Sequence, residues 1–573
     1  MSVRSRAPWR RRTWAAVIVV SLIALLLGSH RVFLRLTAIR PPSEAGVGIS
    51  RPPLVVRGLR SYIGSSWLTR ERGVWEYHLE GGPFSLGYAN ARLGSPLLIE
   101  AEEYLFSEMR RYIPSALAMQ LVKVGVLLRY RTLPLHIPLD QRIELAGLAE
   151  GQPDLNGDFL PTYHRIVFYH ALHDITQGLE HSPMLGCTAL AAARGATTNG
   201  HLVLGRNFDF EGPELFDREK AVLFFKPQGR LGFVSVAWSG MMGVVTGLNQ
   251  AGIYVSVNAL RSDDKSEAGV PVELLLREVL ESAHSLDEAL AIIRDRPVLV
   301  PDLYLIGDGQ SGEAAVVERS PSRFVVRRMP KEGPAADVLT VANHGLSPEF
   351  AGDRESARLR DELTSGARQA RADELVLKNR GRIDPAAMLA VLRDKRGPGD
   401  TELGLGNRNT LDALIATHSV VVDATERVLW VGVGPHALGR YVAYDLKREL
   451  GTGAAADAQP QDLPEDPVLH SDDYRAFLQM KRALRAADTL RGRGQLGPAI
   501  ETAQWAVALQ PRSVDARLVL ADLLAERARP EDVEETRRQY TSFLALSPPH
   551  RADARRARSY LERHPAGSGH QAD

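Results

Sequence analysis

Gly186-Cys187-Thr188 and, about twenty residues on, Gly205-Arg206-Asn207-Phe208-Asp209 form the stretch whose reading decides this chain. Cys187 is the single cysteine in 573 residues, so it cannot staple the fold through an internal disulfide. With Arg206 and Asp209 following at this spacing, it reads as a catalytic nucleophile. The thiolate is the reactive form. A free thiol with a pKa of about 8.5 is only slightly ionised at neutral pH, so such a cysteine needs a nearby base.

The surrounding texture sets the fold class. Downstream of Cys187, short apolar runs alternate with glycine turns: 202–204, 221–225, 232–237, 243–247 and 252–258. Two helices are predicted next, at 272–282 and 285–294, the second opened by the capping-box pattern Ser285-Leu286-Asp287-Glu288. Strands resume at 303–306, 314–318, 323–326, 418–422 and 427–432. Strands, then helices, then strands predict sheet layers covered by helices, an α+β architecture, rather than alternating parallel units. Upstream, residues 100–177 carry helical periodicity, with Leu105, Met109 and Ile113 on one face and Leu121, Val124 and Leu128 repeating it.

At the N-terminus, Arg4, Arg6 and Arg10 to Arg12 precede an uncharged apolar run from Thr13 to Ser29. Its length is near the lower limit for a membrane span and no A-x-A site closes it, which favours an uncleaved anchor over a signal peptide. The positive-inside rule then keeps the basic end in the cytoplasm and the catalytic part on the periplasmic side. Residues 1–30 are thus read as anchor or signal, and 31–53 as a proline-rich, stiff tether. Further expected units are a propeptide-like helical segment at 54–186, a catalytic core at 187–448, a linker at 449–470, a helical domain at 471–564 and a disordered tail at 565–573. Lys plus Arg (70) balances Asp plus Glu (69), so overall charge argues for no nucleic-acid partner.

The ordered set Gly186-Cys187-Thr188, Arg206-Asn207-Phe208-Asp209, Gly247-Leu248-Asn249-Gln250-Ala251-Gly252, Val341-Ala342-Asn343-His344, Ser356-Ala357-Arg358 and Thr417-His418-Ser419 resembles the acyl-coenzyme A:6-aminopenicillanic acid acyltransferase-like cysteine peptidases. These are N-terminal-nucleophile (Ntn) hydrolases related to choloylglycine hydrolase and acid ceramidase. The resemblance spans about residues 60 to 448. It implies an αββα sandwich and a precursor that cuts itself between Gly186 and Cys187. The freed α-amine would then serve as base for its own thiol; the reference pKa of such an amine is about 7.7 to 8.0.

The resemblance further implies that Asp209 holds the α-amine, that Arg206 supports charge near the sulfur and that Asn343 donates to the oxyanion. Asn258 is a second donor possibility, weighed against a turn or cap asparagine. Arg358 matches a family arginine, weighed against an exposed arginine on a charged helix. Thr188 either shapes the turn or packs. His344 and His418 are read as ordinary neutral side chains. His170 and His173 have helical spacing that metal ligands can show, but lack companions, so a helix-packing role is read there. No cofactor or metal is expected. Leu79 to Asn90 and Leu145 to Gly151 match the family's propeptide portion.

In the tail, Ala508-Leu-Gln-Pro511 recurs as Ala545-Leu-Ser-Pro548, a period near that of tetratricopeptide repeats. Stacked helix pairs of that kind can offer a concave surface to a protein partner, and a plain helical cap on the catalytic body is the alternative. The expected activity is cleavage of an acyl-amide or peptide-like substrate through a thioester. An acyltransferase and a noncatalytic membrane-tethered scaffold are the alternatives.

Overall fold

The computed structural model describes residues 21, 28, 32–33, 35–177, 186–210, 212, 214–266, 268–452 and 459–565. The apolar run 13–29 therefore lies outside the described residues except for Ser21 and Gly28, as does the tail after residue 565. Among the described residues no single helix is long and apolar enough to cross a membrane. One pair, Ser95–Tyr112 and Ala116–Leu135, meets that criterion jointly, by length and composition, across a 114° bend.

Two sheets build the body. The smaller has the order Val338–Val341, Thr188–Arg194, Gly200–Asp209, Ala416–Asp423, Val428–Gly432, Tyr441–Asp445, every neighbouring pair antiparallel. The larger runs over eleven strands from Val55–Arg57 at one edge to Phe324–Arg328 at the other. It is antiparallel except where Trp75–Gly81 lies parallel to Lys220–Pro227.

Period-two alternation sorts the strand residues into layers. In Lys220–Pro227, Val222 and Phe224 join Ala189, Ala191, Leu204, Val420 and Val422 of the smaller sheet in one buried cluster between the sheets. Ala221, Leu223 and Phe225 face the other way, onto Leu86, Leu145, Leu276 and Leu280 of covering helices. The outer face of the smaller sheet offers Leu190, Ala192, Val203 and Val421 to Ala372, Leu375, Met388 and Leu392 of two more helices. The order of layers is helix, sheet, sheet, helix.

The 54–186 segment is not helical throughout: Val55–Arg57, Arg60–Ile63, Ser66–Thr69 and Trp75–Gly81 are strands of the larger sheet. Glycine turns with positive φ at Gly58, Gly64 and Gly73 separate them, and Tyr77 and Leu79 are buried beneath. The two propeptide-like motifs meet physically, where helix Pro83–Leu93 crosses helix Leu139–Gly151. A Cβ on Gly87 would overlap the Glu144 carbonyl, and one on Gly147 the Phe84 carbonyl, so the crossing requires glycine at both places.

Three further expectations are corrected. The 31–53 tether is not extended, because residues 42–49 form successive turns. Arg51 gathers the Gly46 carbonyl and the Glu150 carboxylate (2.6 Å) and stacks over Phe84. The strand expected at 243–247 starts only at Thr246, because the Val244 N–H is taken by the Glu273 carbonyl at the start of a helix. The 449–470 linker is tied down in its second half, where Leu463 exchanges backbone hydrogen bonds with Tyr441 and Trp430 donates to the Gln461 carbonyl. Helix Leu286–Asp295 is capped as expected, Ser285 Oγ accepting from the Glu288 N–H.

Helices Asp472–Gly492, Leu496–Leu509, Val514–Arg527, Val533–Ala545 and Arg551–Arg563 form the C-terminal helical region. Its first helix does not stand clear of the body. Tyr474, Phe477 and Met480 share one buried cluster with Leu414 and Leu438.

Candidate functional site

Register brings the sequence motifs to one end of the smaller sheet. Thr188 pairs with Asn207 and Ala189 with both Arg206 and Val341. Continuing each ladder by a residue or two sets Cys187, Asp209 and Asn343 side by side. The ladder extends past the named strands, since the Gly186 N–H donates to the Asp209 carbonyl at 2.9 Å.

Alternation then separates the side chains. Arg206 shares the inter-sheet side with Ala189 and Leu204, and its guanidinium spans to the larger sheet. There it donates to the Val245 carbonyl (2.7 Å), Thr246 Oγ1 and the Val257 carbonyl. One of its nitrogens lies 3.9 Å from Cys187 Sγ. Arg206 thus ties the sheets together and sets a positive charge beside the sulfur. Asn207, next in the motif, donates to the Leu392 and Leu411 carbonyls and accepts from Ser419 Oγ, a structural role that fixes the strand.

Asp209 and Cys187 are both buried. Burial pushes the Asp209 carboxyl up from 3.8 to about 7; Arg368 opposes this, Asp412 adds to it, and Arg408 opposes it. Burial likewise pushes the Cys187 thiol up, with Arg206 and Arg368 pulling down and Asp209 pushing up. In the uncut chain the sulfur is therefore held largely as thiol.

The residue that sequence reasoning missed is Arg368, on helix Ser365–Lys378. It is 2 % exposed, and its fork donates to the Cys187 carbonyl (2.5 Å), Thr188 Oγ1 (2.9 Å) and Asn343 Oδ1 (2.7 Å). The signal was in the helix period: Arg368 shares the buried face with Ala372, Leu375 and Val376, where an arginine has no reason to sit without partners. Arg358, in contrast, does not reach the site. Its side chain is 55 % exposed and pairs with Glu355 at 3.7 Å, because it falls on the outer face of the short helix Arg354–Asp361.

Asn343 is at the site. Its Oδ1 is fixed by Arg368, its N–H donates to Ser365 Oγ (2.8 Å), and one Nδ2 proton goes to the Ala259 carbonyl (2.9 Å). An amide nitrogen carries a second proton, which suits an oxyanion. Asn258 spends both of its amide protons on the Val341 and Ala342 carbonyls (3.1 and 2.9 Å). It is a tie that positions the Asn343 loop and not a spare donor. Thr188 accepts from Arg368, which gives it the turn-shaping role.

The histidines are engaged elsewhere. His344 bonds Ser365 Oγ (2.7 Å), and burial lowers it to about 4. His418 bonds Thr246 Oγ1 (2.9 Å), and burial holds it well below its ordinary value, hence neutral. His170 lies between the Ile166 carbonyl and the Met242 N–H, while His173 pairs with Asp302.

A cleft opens onto this end of the sheet, with Gly186, Asp209, Asn343 and Arg368 in its lining. A titration prediction follows from Asp209. Its carboxyl is raised in the folded chain, so protonation stabilises that state: the contribution is full below about pH 4 and is lost as pH rises through about 7. In an uncut Cys187→Ala background, Asp209→Asn is expected to flatten the decline of Tm across that window, read by thermal denaturation from pH 4 to 8. An unaltered slope would count against a carboxyl raised by burial.

Residues 196–419 match the family model described as acyl-coenzyme A:6-aminopenicillanic acid acyl-transferase. Arg206, Asp209, Asn343 and Arg368 lie inside that match, and Cys187 lies nine residues before it. An uncharacterized protein of Archaeoglobus fulgidus is 28 % identical over 309 residues, covering 48 % of this chain and 51 % of its own. Acid ceramidase of Bos taurus is 27 % identical over 183 residues, covering 27 % and 46 %. The chain spans about half the length of these curated relatives. Among solved structures, a Caenorhabditis elegans N-acylethanolamine-hydrolyzing acid amidase ortholog aligns with a TM-score of 0.32 at 19 % identity, covering 42 % of this chain and 93 % of its own. Residues 196–419 are thus similar to the acyl-coenzyme A:6-aminopenicillanic acid acyl-transferase family, the resemblance that the ordered motifs carried.

Proposed function

We propose that the protein is a self-processing Ntn cysteine amidohydrolase that cleaves acyl-amine bonds through a thioester on Cys187. The observation that carries this reading is the convergence on one sheet end of Cys187, Arg206 at 3.9 Å from its sulfur, the Asp209 carboxyl and an Asn343 amide oriented by Arg368. In processing, Sγ attacks the Gly186 carbonyl carbon, the Gly186–Cys187 C–N bond breaks, and the Cys187 nitrogen takes the proton. Water then hydrolyses the thioester, leaving a Gly186 carboxylate and a free α-amine. That amine lies on the nucleophile's own residue and takes the thiol proton in each turnover.

In turnover the thiolate attacks the substrate acyl carbon and the second Asn343 amide proton meets the oxyanion. The ammonium returns its proton to the leaving amine, and water releases the acid. Asp209, once ionised, holds the α-ammonium. Strands 55–81 of the upstream segment are built into the larger sheet, which supports a cut chain whose two pieces stay together. The family model's description favours a second reading for the same site, in which another amine replaces water and the acyl group is transferred.

The test is incubation of the processed protein with a panel of N-acyl amides, acid quench and mass analysis of the Cys187 peptide. An acyl thioester and released free acid are expected. Partition of product toward a new amide in the presence of an added amine would identify the transferase. No adduct and no amine release across the panel would overturn both.

A further inference from the structure

We infer that the C-terminal helical region is part of the active site, and that His550 in it reads an anionic group on the substrate. The inference rests on the amidohydrolase reading of the cleft. His550 immediately precedes helix Arg551–Arg563 and lines the same cleft as Gly186, Asp209, Asn343 and Arg368. Its imidazole does not cap that helix, and its Nδ1 is buried without a hydrogen-bond partner among the described residues. A buried polar nitrogen left unpaired costs free energy, and a ligand atom in the cleft would recover it.

The helical region is fastened where this wall forms. The Arg551 N–H donates to the Glu362 carbonyl (2.9 Å), Asn409 donates to the Ser547 carbonyl (3.0 Å), and Arg512 pairs with Glu402 (2.8 Å). A second cavity runs on beneath the helices, walled by Phe477, Met480 and Pro549, and shares Arg408, Ala413 and Ile415 with the first. The wall of the cleft therefore continues from beside Cys187 under the C-terminal region. This placement matches a cap over the body rather than a separate partner-binding module.

Charge indicates what the cleft itself holds. Two guanidiniums, Arg368 and Arg408, and the His550 imidazole line the cleft against the single Asp209 carboxyl. A carboxylate would accept from an imidazole N–H in a positive field, whereas a neutral hydroxyl would gain only the hydrogen bond.

The test uses the full chain and its His550→Ala and His550→Gln variants, with Arg491→Ala as a control that removes only an exposed pair with Glu526 inside the helical region. kcat/KM is measured for one acyl chain as its glycine amide, its ethanolamide and, with the carboxylate at the other end, as a dicarboxylic acid monoamide. His550→Ala is expected to lower the anionic-to-neutral ratio about tenfold, the scale of one charge-assisted hydrogen bond. His550→Gln is expected to restore part of the ratio and Arg491→Ala to leave it within about twofold of wild type. The monoamide shows which half carries the anion. An equal ratio in wild type and His550→Ala overturns the inference.

If wild type hydrolyses none of these amides, the amidohydrolase reading fails on its own, and alkylation of Cys187 by iodoacetate against iodoacetamide still reads the cleft. A fall in that rate ratio in His550→Ala supports the inference. An unchanged ratio, or a thiol neither reagent reaches, overturns it.

Discussion

Cys187→Ala is expected to remain one uncut chain and to lose amide turnover by a factor on the order of 10⁴ to 10⁶ in kcat/KM, the scale seen when a covalent nucleophile is removed from a site whose parts act as a unit. Two losses coincide at this residue. In the proposed chemistry the thiol forms the acyl-enzyme, and the α-amine that would activate it exists only after the chain is cut. Alanine removes the first and prevents the second. Cys187→Ser separates them, because a hydroxyl can still attack the Gly186 carbonyl, more slowly, and would then carry the same α-amine. Slow processing with weak turnover is expected for serine, against none for alanine. The packing cost is small, as Arg206 keeps its bonds to Val245, Thr246 and Val257 in both variants. Wild-type turnover by Cys187→Ala would remove Cys187 from the chemistry.

Arg368→Met is expected to be the most damaging change outside the nucleophile, in both stability and rate. The guanidinium holds the Cys187 carbonyl, Thr188 Oγ1 and Asn343 Oδ1, all buried, and it is a cation that opposes the rise of Asp209. Removing it strands those acceptors and leaves the Asp209 carboxyl without that compensation. Leaving buried acceptors unpaired in this way costs about 1 to 3 kcal/mol for each group, read as a shifted urea midpoint of the uncut Cys187→Ala chain. In the processed enzyme, Asn343 loses the contact that fixes its amide, so kcat is expected to fall about 10²- to 10³-fold, the worth of one oxyanion donor. Arg368→Lys keeps the charge and loses the fork, and is expected to recover more stability than rate. Equal recovery of both would mean that Arg368 acts on the site by charge alone.

The strands after Cys187 were legible because period-two runs such as Ala221 to Phe225 and Ile253 to Asn258 are bounded by glycine turns, and both of their faces are buried. Strands 55–81 were not, since three positive-φ glycines cut them into pieces too short to show a period. Cys187, Arg206 and Asp209 could be grouped from sequence because the proposed chemistry restricts residue type and order, and the fold brings the three together. Arg358 misled because a short motif match says nothing about which face of a helix a residue occupies, and a period-3.6 reading would have passed over it for Arg368. Asn258 shows a different limit. Whether an amide is a free donor depends on carbonyls from a strand some eighty residues away, and sequence does not carry that pairing. His550 was hidden for the same reason, since its place depends on how the C-terminal helices dock.

The central claim is that Cys187 becomes an N-terminal residue, and intact mass with N-terminal sequencing of purified wild-type protein tests it most directly. Two co-purifying chains, the second beginning Cys187-Thr188-Ala189, are the predicted result. A single wild-type chain of full mass that nonetheless turns over amides would contradict it, because the α-amine on which the proposed chemistry depends would not exist.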